Sequence, residues 1–223
     1  MNDLTVNETG TEVAEVGGYN FFEAYGAQAA QSNLVGQLLK FSKGDWLAGQ
    51  NNTELKPGTK LVAIMDQLYI GWVKWEDNKP TEQLMGLVIE GYKPMNRKDL
   101  GDNDESLWEV DMQGKPRDPW QRTNYLVMRE VGLEELDEDK MYTFTTSSKG
   151  GINAIGKLCQ QFGKGMRQRP ADYPIVELQV DSYAHPIKEY GRIKIPMLEL
   201  VGWEAKVPVP AAKEEKASAR RSK

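Results

Sequence analysis

Apolar and polar residues alternate through residues 176–181, where Val176, Leu178 and Val180 interleave with Glu177, Gln179 and Asp181. Side chains on a strand point alternately to its two faces, so this run predicts a half-buried β-strand. Ile193 and Ile195 alternate in the same way with Arg192 and Lys194 in a second run over 192–203. The phase slips at Pro196, after which Leu198 and Leu200 take the inward positions. A proline with a phase slip predicts a bulge or a bend at a sheet edge. Upstream the period changes from two to between three and four: Ile152, Ile155, Cys159, Phe162 and Met166 predict an amphipathic helix over about 149–169. Ser147 or Ser148 can cap its start, and Pro170 stops it. Before it, MYTFTT (141–146) is aromatic and β-branched and predicts a strand.

From Thr59 the chain predicts a meander. Residues 61–65 form one strand, Asp66-Gln67 a turn, 68–76 a second strand, 77–80 a turn and 83–90 a third strand. Gly71 marks a bulge or a close backbone approach. Trp72 and Lys74 share one face of the second strand, with Tyr69 and Trp75 on the other. An insertion at about 92–120 is rich in charge and turn residues, with a short strand expected at 107–110; a strand at 123–129 and an acidic loop at 130–139 follow. Leu34, Leu38, Leu39 and Phe41 predict a short amphipathic helix, and 43–57 a loop. The expected division is an N-terminal flexible arm with that short helix (1–42), a globular domain (43–204) and a disordered tail with a basic end (205–223). The order of elements predicts a β-rich α+β fold. Its form is an antiparallel OB-like barrel, or a strongly curved sheet, with one main helix between its later strands.

Charge changes this picture. The 223 residues carry a net charge of −5, unevenly spread: 14 Lys and Arg against 8 Asp and Glu from Tyr142 onward, and 14 against 25 before it. The predicted helix has no acidic residue between Lys149 and Arg169, and Lys149, Lys157, Lys164 and Arg167 fall away from its apolar stripe. That face is either an ordinary solvated surface or one that meets a polyanion. No apolar run approaches the roughly 20 residues of a membrane-spanning helix. The N-terminal residues lack the pattern of a signal peptide, and the one cysteine, Cys159, excludes an intrachain disulfide. A cytoplasmic protein is expected.

Catalytic motifs are absent: there is no GxGxxG, no Walker-type loop and no GxSxG. The only histidine, His185, precedes Pro186 and reads as a turn residue. Carboxylates at 99–111 lack the spacing of a calcium loop. Ser147-Ser148-Lys149-Gly150-Gly151 could present backbone N–H groups to a phosphate, though capping and tight packing explain it as well. Neither metal nor cofactor is expected. What the sequence offers is a binding surface that interleaves aromatic and basic residues, as single-strand-binding modules do. Trp72, Trp75, Tyr183 and Tyr190 are the candidates for stacking bases. Lys74, Lys149, Lys157, Lys164, Arg167, Arg192 and Lys194 are the candidates for neutralising phosphates.

The runs NLVGQLLKFSKGDWLAGQ, LYIGWVKWEDNKP, RDPWQRTNYLVM, YTFTTSSKGG and VELQVDSYAHPIKEYGRIKIPMLELVGW resemble stretches of bacteriophage- and prophage-encoded proteins, over roughly residues 33–203. The resemblance transfers no catalytic residues. It implies a bacterial host and a place in phage DNA replication or recombination, with phage or host replication proteins as partners. Phage single-stranded-DNA-binding proteins often combine an OB fold with an acidic C-terminal tail. This chain departs from that pattern, ending Ala-Arg-Arg-Ser-Lys, so tail-mediated recruitment is not expected. Three functional expectations follow: a non-enzymatic single-stranded-DNA-binding protein; a structural or adaptor protein, with the aromatic arm at 18–30 mediating self-association; and a nuclease using Asp102, Asp104 or Asp111 with a metal.

Overall fold

Seventeen consecutive residues form β4 (Lys60–Glu76), and the rest of the sheet is arranged around it. The computed structural model describes residues 34–111, 114–184, 186 and 191–207. The N-terminal arm, His185, Tyr190 and the tail from 208 lie outside the described residues. The other strands are β1 (Gln37–Ser42), β2 (Asp45–Ala48), β3 (Thr53–Leu55), β5 (Lys79–Leu87), β6 (Trp120–Glu130), β7 (Met141–Thr146), β8 (Asp172–Ala184) and β9 (Arg192–Ala205). One helix, α1 (Lys149–Gly165), lies between β7 and β8 among the described residues. The strands form one sheet in the order β3-β2-β1-β7-β6-β4-β8-β9, with β5 also on β4. Pairing is antiparallel except between β1 and β7, which run parallel. The fold is thus β-rich α+β, a strongly curled half-barrel with one helix.

Several expectations change. β4 is a single strand, not two strands around an Asp66-Gln67 turn. Asp66 stays in the strand because its carboxylate accepts the Tyr173 hydroxyl (2.8 Å) and pairs with Lys206 (2.8 Å). The bend is taken up instead as a register shift against β6 between Ala63 and Leu68. One edge of β4 is then shared: residues 60–62 pair with β8 and residues 69–76 with β5. The expected short helix at 34–41 is β1, so the sheet begins before residue 43. The expected loop at 43–57 holds β2 and β3. Lys43 and Gly44, both at positive φ (53° and 106°), make the tight β1–β2 turn. The expected strand at 107–110 is a 3-10 turn (Glu105–Leu107) and an isolated Val110–Pro116 bridge. No register shift occurs at Pro196, which pairs regularly with Val180. The irregularity in this hairpin lies between Ile175 and Val176, opposite Gly202 and Leu200.

The core is built on the central strands, and β4 and β6 are buried on both faces over residues 61–65 and 123–129. Trp46, Leu39, Phe144, Leu126, Met128, Leu61 and Leu178 are fully buried, with Ile155 and Leu158 supplied by α1. Burial of such side chains stabilises by roughly 1.5–3 kcal/mol each relative to exposure. Trp46 packs against Phe41 (5.2 Å between centroids) and Phe144 (5.0 Å). Its indole N–H donates to the Gln179 carbonyl (3.1 Å), which ties β2, near one end of the strand order, to β8, near the other. Gly71 is a close approach: a Cβ there would run into the Leu84 carbonyl of β5.

Candidate nucleic-acid interface

α1 starts where the sequence places it. Ser148 has extended backbone, and its hydroxyl accepts the Gly151 N–H (3.0 Å), satisfying a donor that the helix cannot. Two glycines then let the helix lie along β9. A Cβ at Gly150 would sit 2.9 Å from Ile195 Cγ2, and one at Gly165 would enter the Trp203 ring. Phe162 stacks on Trp203 (6.0 Å between centroids). With the helix fixed in this way, an open groove of about 860 Å³ remains between α1 and the β8–β9 hairpin.

Three of the residues singled out from sequence line this groove: Lys149 and Lys157 on the helix and Tyr183 on β8. Its floor is apolar, with Ile195, Pro196 and Leu198. Asn153 and Gln160 join the two lysines on the same side, at helical spacings of four, four and three from Lys149. That spacing was readable in the sequence, where attention to charge alone passed over the amides. Asp181 is the one carboxylate in the lining, and its Oδ1 accepts the Ser182 N–H (2.6 Å). Tyr183 is 48% exposed, so its ring is open to a stacking partner. Lys164 and Arg167 are exposed beyond the groove, with Arg167 just past the end of α1.

The remaining candidates lie elsewhere. Tyr183 pairs with Ile193 and Asp181 with Ile195, so these four share one face of the hairpin. Arg192 and Lys194, one residue out of phase with these, are not among the residues that line the groove. The Arg192 guanidinium donates to the Ser182 carbonyl (3.0 Å) and hydroxyl (2.9 Å). The Lys194 stem fills the space a Cβ at Gly44 would need. Trp72 and Trp75 are both partly buried, and neither lines the groove. The Trp72 N–H donates to the Met95 carbonyl (2.9 Å), and Arg122 lies 5.8 Å from its ring. Lys74 pairs with Glu76 (2.9 Å) and Asp102 (3.2 Å), which together hold its ammonium above its ordinary pKa, Glu76 most strongly. Tyr190 lies outside the described residues.

Each carboxylate named for a nuclease is engaged by its own neighbours. Asp102 accepts the Trp120 indole N–H (2.9 Å) and pairs with Lys74, and these two contacts hold its pKa below the ordinary value. Asp104 caps the turn at Ser106 through both the backbone N–H (3.0 Å) and the hydroxyl (2.6 Å), which lowers its pKa also. The Asp111 carboxylate accepts the Lys115 N–H (2.9 Å). Among the described residues no three His, Cys, Asp or Glu side chains are grouped as metal ligands. No described helix is long and apolar enough to cross a membrane. Compared with protein-family models, curated proteins and solved structures, the chain matches none.

Proposed function

We propose that the groove between α1 and the β8–β9 hairpin binds single-stranded nucleic acid without catalysis, and that the ligand is single-stranded DNA in phage or prophage replication or recombination. The observation that carries this reading is the groove itself: a cationic wall of Lys149 and Lys157 faces an exposed tyrosine across an apolar floor. Phosphates can follow the lysines while a base stacks on Tyr183, and a stacked base contributes about 1–3 kcal/mol. Lys164 and Arg167 extend the positive surface past the groove. On this reading the curled sheet is an OB-like barrel left open, with its ligand on the helix side of the β8–β9 hairpin. A duplex is a poorer ligand, because its bases are stacked on each other and unavailable to the tyrosine.

The test is fluorescence anisotropy of the full chain with labelled single- and double-stranded oligonucleotides at low and moderate salt. The expected result is single-strand preference, affinity that falls steeply with salt, and a loss of about tenfold or more for Lys149→Glu/Lys157→Glu. Absence of binding at low salt, or equal affinity of that double variant, sinks the proposal.

A further inference from the structure

The segment between β5 and β6 builds a concavity of its own, and it shares no lining residue with the groove. It encloses about 270 Å³ between the end of β4 and residues 102–109, with Trp75, Asp104, Trp108 and Glu109 in its walls and Leu107 at its lip. The segment has little apolar interior: Ile89, Met95, Leu107 and Val110 are all exposed, Leu107 by 83%. Polar contacts shape it instead. Arg97 donates to Asp118 (2.7 Å), to the Gly101 and Asp102 carbonyls (2.7 and 3.0 Å) and to Asn103 (3.1 Å), and lies 5.6 Å from the Trp108 ring. The Trp108 N–H donates to the Asp102 carbonyl (2.7 Å). Asp102 itself is held at φ +50°, a left-handed conformation uncommon for a side-chain-bearing residue. These contacts shape the cavity walls from within the segment.

Those walls are negative and aromatic. The lining holds one cation, Lys74, against Glu76, Asp102, Asp104 and Glu109, and Lys74 is already paired with the first two. Asp104 and Glu109 have no cationic partner among the described residues; Glu109 accepts the Asp77 N–H (2.7 Å). The Trp75 N–H is sealed from solvent without an acceptor, a cost a phenylalanine would avoid. Indole is, however, the best aromatic face for a cation.

We propose that this cavity takes the side chain of one arginine or lysine from a basic segment of a partner polypeptide. Its volume lies just below the roughly 300–1,000 Å³ of small-molecule sites and suits a single long side chain. Two carboxylates without a cationic partner among the described residues meet the charge, and an indole meets the stem or the guanidinium plane. The exposed Leu107 at the lip gives the flanking residues of such a segment an apolar contact that a free amine would leave in water. This inference is independent of the nucleic-acid reading.

The experiment is isothermal titration calorimetry of the full chain with three probes: acetyl-arginine amide, its uncharged isostere acetyl-citrulline amide, and a short peptide of alternating arginine and leucine. The expected result is saturable binding of both arginine probes and none of the citrulline probe, with the peptide about tenfold tighter than the amide. Asp104→Asn, which keeps the turn cap, should weaken both arginine probes by about threefold or more. Leu107→Ser should weaken only the peptide. Thermal melts of both variants should match the parent, since both side chains are solvent-facing. Absence of saturable binding, or equal binding of citrulline, overturns the proposal. Equal affinity for amide and peptide overturns the polypeptide partner in favour of a small cation.

Discussion

Arg129 shows how much a single side chain carries here. It is 1% exposed at the end of β6, a position where a guanidinium persists only with partners. Nη1 donates to the Glu130 carbonyl (3.0 Å) and pairs with Glu204 of β9. The other Glu204 oxygen accepts the Gly132 N–H (2.9 Å), so one ion pair joins β6, the acidic loop and the end of β9. Arg129→Met leaves Glu204 without its cation and is expected to cost about 3–5 kcal/mol in urea unfolding. Arg129→Met with Glu204→Gln should recover a large part, because no charge is then stranded. In the sequence this arginine closes the run TNYLVMR, and nothing local marks it as buried. Its partner lies 75 positions on, beyond the reach of any periodicity. Asp102 makes a second prediction at this scale. Its folded pKa is depressed by the Trp120 N–H and then by Lys74. A depressed carboxyl contributes stability above its ordinary value of 3.8 and loses it as pH falls through the folded value. Acidification should therefore loosen the insertion ahead of the sheet, seen as a tryptophan-fluorescence step at low pH that Asp102→Asn removes.

The helix makes its own prediction, because α1 carries more glycine than helix propensity favours. Gly150, Gly151 and Gly165 are required by contact with Ile195, Thr146 and Trp203. Gly156 and Gly163 are not: an added Cβ meets nothing within 4 Å at either. Gly163→Ala should stabilise by about 0.5–1 kcal/mol, whereas Gly151→Ala should destabilise, because its Cβ runs into the Thr146 side chain. Equal and opposite shifts are not required; a destabilising Gly163→Ala would show that the exposed face of the helix is covered. The elements differ in how legible they were. The start of α1, its Ser148 cap, β7, β8 and β9 follow from period and cap signals within one short window each. α1 ends at Gly165, ahead of the expected stop at Pro170, and it buries Ala154, Ile155 and Leu158 while Met166, expected in the stripe, is exposed. β1 did not, because four apolar residues over 34–41 fit a helical face, and pairing with β2 and with the distant β7 overrides that local preference. The Asp66-Gln67 pair reads as a turn only while Tyr173 and Lys206 are unseen.

For the whole molecule, what the sequence could not supply was the sorting of its basic and aromatic residues into separate places. Composition puts Lys149, Lys157, Arg192 and Lys194 in one basic C-terminal part. The fold splits them: Lys149 and Lys157 line the groove, whereas Arg192 bonds Ser182 and the Lys194 stem lies against the β1–β2 turn at Gly44. Trp72, Lys74 and Trp75 are drawn off to the insertion at the end of β4, where Lys74 spends its charge on Glu76 and Asp102. This geometry makes a prediction that composition does not. If a single strand runs through the groove, each lysine on a phosphate contributes about one released counterion to the salt dependence. Lys149→Gln and Lys157→Gln should then each lower the slope of log affinity against log salt by about one. Arg192→Gln and Lys194→Gln remove the same formal charge from outside the groove lining and should leave the slope within error of the parent. Anisotropy titrations over a salt series measure all four. Four equal decreases would mean that the bound strand follows net charge around the hairpin, and the groove would lose its claim to be the site.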